Sequence, residues 1–190
     1  MKKTLIPSVI FSLFLIITPS ILLGADQPAD PDCPRDQPGP VYSLKSPGVK
    51  SHLFKKTSSF EAEEEVIFVS GDRLLIKNWG CEYYVNSFYY ESKNIKADSA
   101  STAYWHTKSA EILRLLARSR PDTVFDLKKA ADTLEIKAKG GKGFRFDHEP
   151  YPVEGDGTDF LQTMVTVKKG GNLPGKDMGF VEFELMKGPL

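Results

Sequence analysis

Hydrophobic spacing turns from strand-like to helical in the middle of this chain, and that change sets the fold class. Between Phe60 and Glu91 apolar residues alternate at a period of about two, the signature of strands. Glu65-Val66-Ile67-Phe68-Val69 is β-branched and aromatic, Ser70-Gly71-Asp72 supplies a turn, and Arg73 to Lys77 follows as a partner strand. After a break at Asn78-Trp79-Gly80, a long strand runs from Cys81 to Tyr90. Its alternation places Cys81, Tyr83, Val85 and Tyr89 on one face and Glu82, Tyr84, Phe88 and Tyr90 on the other.

From Ser99 to Arg120 the spacing becomes helical. Trp105, Ser109, Ile112, Leu113 and Leu116 form one stripe, with Glu111, Arg114 and Arg118 on another side. Asp98 or Ser99 is positioned to cap the start, and Pro121 ends the run. Asp122 is placed to cap a second, shorter helix through Val124, Leu127 and Ala131. Further on, Leu134 to Gly141 and Met164 to Gly171 each alternate and end in Lys-Gly-Gly. Each is followed by an aromatic segment that opens with Gly-Phe, Gly143–Phe146 after the first and Gly179–Phe183 after the second. Both pairs are expected to be hairpins with glycine-rich turns. The expected fold is α+β: a mainly antiparallel sheet of about seven strands, three before and about four after one long amphipathic helix, with room for a second short one.

The N-terminus constrains the compartment. Lys2 and Lys3 precede an apolar run from Leu5 to Leu23, and Leu23-Gly24-Ala25 closes it with small residues. That is the layout of a cleaved secretory signal peptide over residues 1–25. The expectation is therefore a periplasmic or secreted protein, with no membrane attachment after cleavage; the alternative for the Leu5–Leu23 run is an uncleaved membrane anchor. Residues 26–50 begin with a proline-rich stretch, Pro28, Pro31, Pro34, Pro38 and Pro40 among four aspartates, and form an extended leader. Residues 51–190 make one domain. Cys33 and Cys81 are the two cysteines, and in an oxidising compartment they are expected to form one structural disulfide rather than a redox pair.

Charge disfavours two partner classes. Loss of Lys2 and Lys3 from 25 basic residues leaves a slight excess of the 25 acidic ones. Such a chain has no electrostatic footprint for nucleic acid and no polybasic attraction to anionic lipid. Lys142-Gly143-Phe144-Arg145-Phe146 departs from an RNA-recognition strand at Arg145, and Lys139-Gly140-Gly141-Lys142-Gly143 lacks the spacing of a phosphate loop. Glu61 to Glu65 reads as a solvated strand entry or a charged sheet edge.

Candidate chemistry is sparse. His148, between Asp147 and Glu149 and near Glu154, Asp156 and Asp159, is the one histidine with adjacent carboxylates. It would serve a small exported hydrolase as a general base. No metal-ligand spacing accompanies it, and no cofactor motif is present. His52 and His106 have no local partners, and His106 is expected at a helix surface or boundary. The remaining candidates are aromatic: Tyr84, Phe88 and Tyr90 as a row the helix leaves uncovered, with Trp79 ahead of it. Tyrosine and tryptophan favour protein interfaces because each joins a large apolar body to a polar tip. The leading functional expectation is a non-catalytic binding module for another exported protein, of inhibitor or immunity type. A hydrolase using His148 and a structural envelope component are the alternatives.

Overall fold

A computed structural model describes Cys33 and residues 36–95, 101–140, 150–153 and 162–189. The proposed signal segment, residues 1–25, lies outside the described residues. Four strands come first: β1 (Val49–Lys56), β2 (Ala62–Phe68), β3 (Arg73–Trp79) and β4 (Tyr84–Ser92). Two helices follow, α1 (Thr102–Arg118) and α2 (Leu127–Gly140), and then β5 (Tyr151–Pro152), β6 (Thr163–Asn172) and β7 (Gly179–Lys187). Among the described residues, seven strands join one antiparallel sheet in the order β1-β2-β3-β4-β7-β6-β5. The α+β class and the strand number agree with the sequence expectation. The division is four before the helices and three after, because Val49–Lys56 pairs with β2 as a strand of its own.

Helices α1 and α2 pack together on one face of the sheet, and the register shows which. Gly170 lies opposite Val181, Val181 opposite Tyr90, Tyr90 opposite Leu74, and Leu74 opposite Val66. The Trp105 ring of α1 rests on Gly170 so closely that any Cβ there would overlap it. This whole row therefore faces the helices. So does the next, where Phe88 opposes both Ile76 and Phe183, its ring stacked on Phe183 at 5.1 Å. The core lies between, and Val66, Leu74, Phe88, Val181 and Phe183 are each 0% exposed.

α1 buries the expected stripe of Trp105, Ser109, Ile112, Leu113 and Leu116. Its cap is Ser101, whose hydroxyl accepts from the Tyr104 N–H at 3.2 Å. α2 overturns a larger expectation. The first of the two expected hairpins begins at Leu134, but residues 134–140 continue a helix that starts at Leu127. Leu127, Ala130, Ala131 and Leu134 bury at helical spacing, whereas Ile136, which gives the segment its strand-like alternation, is 68% exposed. Arg114 of α1 pairs with both Asp132 and Glu135, and Lys139 pairs with Glu135 one turn earlier, which fixes these residues on a helix. The Asp126 carboxylate caps the helix by accepting from the N–H groups of Lys128 and Lys129. Gly143–Phe146 lies outside the described residues.

The second hairpin is present as β6 and β7, but its Gly-Gly is not the turn. Gly170 and Gly171 sit within β6, opposite Val181 and Phe180, and the chain turns at residues 173–178. Glycine is required at 170 by the Trp105 ring rather than by turn geometry.

Candidate functional site

Residues 36–48 run over the inner face of the sheet beside the helices, with Val41 and Tyr42 in the core, and they and Cys33 are fastened at several points. Cys33 and Cys81 form the expected disulfide, with Cα atoms 5.1 Å apart, which joins the segment to the turn between β3 and β4. Strand alternation turns Glu63 and Glu65 of β2 away from the helices and Glu64 towards them. Glu64 is only 4% exposed. Its carboxylate accepts from the N–H groups of Val41 and Tyr42, each at 2.7 Å, and meets His52 Nε2 at 3.0 Å. Burial pushes the Glu64 carboxyl up, against the opposing pull of the two amides and His52. The Tyr42 hydroxyl donates to the Leu116 carbonyl at 3.3 Å, and the Asp122 N–H donates to the Val41 carbonyl at 2.8 Å. The acidic run at Glu61–Glu65 thus leads into a strand, but one paired on both sides rather than a sheet edge. Glu64 of this run clasps the incoming chain.

This clasp builds one wall of a cleft of about 240 Å³. Residues 36–41 form that wall, and Asn78, Tyr84 and Asn86 form the floor. Residues 122–125, between the helices, form a second wall that meets the first where Asp122 donates to Val41. Asn86 lies opposite Asn78 in the sheet and is 4% exposed. No hydrogen bond to its side-chain amide is found among the described residues. Asp36 and Asp122 are exposed at the rim. Val124, 48% exposed, and the buried Phe125 give the helix-side wall an apolar surface.

The four aromatic residues expected to share one binding surface do not. Phe88 and Tyr90, 0% and 2% exposed, are core residues on the helix side of the sheet. The helices cover the Phe88 row rather than the Tyr89 row, so the expectation of an uncovered Phe88–Tyr90 face is overturned. Burial and the acceptor Asp72, 2.8 Å from its hydroxyl, push the Tyr90 phenol up. Tyr84, at the end of the same row, is half-buried and lines the cleft. Trp79 is half-buried on the opposite face. Its indole N–H donates to the Ser87 hydroxyl at 3.0 Å, and that hydroxyl donates to Glu184 at 2.9 Å. Tyr89 lies on that open face too, stacked on Phe180 at 5.1 Å.

The histidines also sort differently from expectation. His52 has a partner, Glu64, from the neighbouring strand. His106 is buried at 3% exposure rather than at the helix surface, edge-on to Tyr151 at 5.5 Å. His148 and its acidic neighbours Asp147, Glu149, Glu154, Asp156 and Asp159 lie outside the described residues. Among the described residues, no group of three His, Cys, Asp or Glu side chains could hold a metal ion, and no helix is long and apolar enough to cross a membrane. The cleft residues were legible only in part. Tyr84 stood out by type, whereas Asn86 and Asp122 carry no motif and meet only through the register of β3 and β4 and the α1–α2 connection. No protein-family model matches the chain, and neither a curated protein nor a solved structure does.

Proposed function

We propose that this chain is an exported, non-catalytic protein-binding module, of inhibitor or immunity type. It takes a side chain of another exported protein into the cleft beside Tyr84. The disulfide fits an oxidising compartment. A cleft of about 240 Å³ is smaller than the usual small-molecule pocket of roughly 300–1,000 Å³. It suits one inserted side chain better than a whole metabolite. The carrying observation is Asn86. A buried amide opening on a cleft discriminates between an occupant that hydrogen-bonds it and one that leaves it stranded, a difference of about 1–3 kcal/mol.

The test is capture from the exported fraction by the wild-type chain and by Val124→Arg. The substituted position is exposed at the cleft mouth, so the fold should survive while the cleft is blocked. A stoichiometric protein partner held by wild type and lost by Val124→Arg, at unchanged Tm, is expected. Failure to hold any partner, or equal retention by the blocked variant, removes the proposal.

A further inference from the structure

We infer that the partner group taken by this cleft is the guanidinium of an arginine side chain; the inference rests on the binding function just proposed and names its chemistry. Three features converge. Asp36 and Asp122 stand on separate walls, and neither carboxylate has a hydrogen-bond or ion-pair partner among the described residues. On the floor lies Asn86, more than nine-tenths buried, whose side-chain amide carries one neutral acceptor and two donors. Pro40, Val124, Phe125 and the ring of Tyr84 add apolar and aromatic surface, beside the polar Gln37, Asn78 and Thr123.

An occupant must satisfy acceptors spread across the cleft and lay an apolar stem along its sides. A lysine ammonium gathers three donors at one point and is strongly hydrated, so it reaches one rim carboxylate and leaves the rest. A guanidinium presents five donors in a plane, is less tightly hydrated, and stacks on aromatic rings. Its fork suits carboxylates on two walls together with the amide oxygen. Glutamine could pair with Asn86 but would leave both carboxylates unmatched. The cleft holds one such side chain and little more.

The probes are N-acetyl-arginine amide, N-acetyl-lysine amide and N-acetyl-glutamine amide, titrated into the disulfide-bonded chain and followed by the NMR signals of the Asn86 side-chain amide. The arginine probe should bind about tenfold more tightly than the other two, a difference equivalent to about 1.4 kcal/mol. Asp36→Asn and Asp122→Asn should each weaken it severalfold, and Val124→Arg should abolish binding. Equal binding of the lysine probe, indifference to both aspartate substitutions, or no shift of the Asn86 signals would each overturn the inference. Two outcomes separate it from the binding function. A captured partner retained fully by the Asp36→Asn/Asp122→Asn double variant overturns the arginine assignment and leaves the binding function standing. Selective arginine-probe binding with no partner captured supports the site chemistry and removes the function.

Discussion

The two faces of the sheet are built from alternate residues of the same strands, and they are stabilised by different means. On the inner face, which the helices and the segment around Val41 and Tyr42 cover together, Val66, Leu74, Phe88, Val181 and Phe183 lose all contact with solvent. On the open face the side chains pair instead. Arg73 meets Glu65 at 2.6 Å, Lys169 meets Glu182 at 3.0 Å, and Lys168 meets Glu184 at 3.2 Å. The Arg73 and Glu65 side chains each remain 36% exposed, so water screens their attraction. A residue's type does not decide its face. Tyr84, Tyr89 and Tyr90 are the same amino acid within one strand, yet they respectively line a cleft, stack on the open face, and sit in the core. What separates them is which row the helices cover, and how far along it.

Truncating matched aromatics on the two faces tests this division most directly. Phe88→Ala should cost about 3–5 kcal/mol, as large aromatic truncations in cores do. Tyr89→Ala, which removes a half-buried ring stacked on Phe180, should cost about 1 kcal/mol. Urea unfolding of both variants checks this, and a larger loss from Tyr89→Ala would show that the faces had been assigned the wrong way round.

Close behind comes the chain that covers the inner face beside the helices. Replacing both Cys33 and Cys81 by serine opens a covalent loop whose ends are 48 residues apart. That should lower stability by up to about 4 kcal/mol in the chain-entropy model. Unfolding of the serine variant against the oxidised protein measures it, and a loss below about 1 kcal/mol would mean that the Glu64 clasp alone holds Val41 and Tyr42.

Alkali separates buried phenols from the rest. Burial, with nearby carboxylates, pushes the phenols of Tyr42 and Tyr90 well above their usual value of about 10. Their folded pKa values are raised, so the neutral forms are favoured in the fold. The stabilisation is fully present below pH of about 10 and is lost as pH rises, because the unfolded chain ionises first. Each phenol should steepen the loss by about 1.4 kcal/mol per pH unit. Tyr42→Phe and Tyr90→Phe should each remove one share of that slope, and an unchanged slope in both would contradict the burial of these rings. The smallest effect belongs to the open face. Arg73→Ala should cost no more than about 1 kcal/mol in the same urea unfolding, and less as salt is raised.

Much of the fold was legible because the signals were local. The change of period near Ser99 marked strands before a helix, the Trp105–Leu116 stripe marked α1, and two cysteines behind a signal-like N-terminus marked a disulfide. Three features were not legible, each for a tertiary reason. Alternation in β4 divides residues into two sets without saying which set the helices cover, and both sets carry tyrosines. Leu134 to Lys139 alternates as a strand would, and the helix wins through Ala130, Ala131 and the Arg114 pairs contributed by another element. Gly170 resembled a turn because glycine's common use is in turns, while its need here comes from the Trp105 ring on a different layer. Of the candidate site, only Tyr84 was visible. Its companions are ordinary polar residues brought together by register.

The disulfide also governs how the molecule carries a mechanical load. Tension entering through Cys33 crosses the sulfur bridge to Cys81 and bypasses β1, β2 and β3, which lie inside the covalent loop. The force passes directly into β4 at Tyr84, whose partner across the ladder is Lys187, the last residue of β7. Pulled from the leader and from the C-terminal end of β7, the two strands are therefore loaded at the same end. They part like a zip, one pair of residues at a time towards Ser92 and Gly179, rather than sliding past each other with every hydrogen bond strained at once. The first pair to open is the one at the floor of the cleft, so the cleft lies where such a pull would begin.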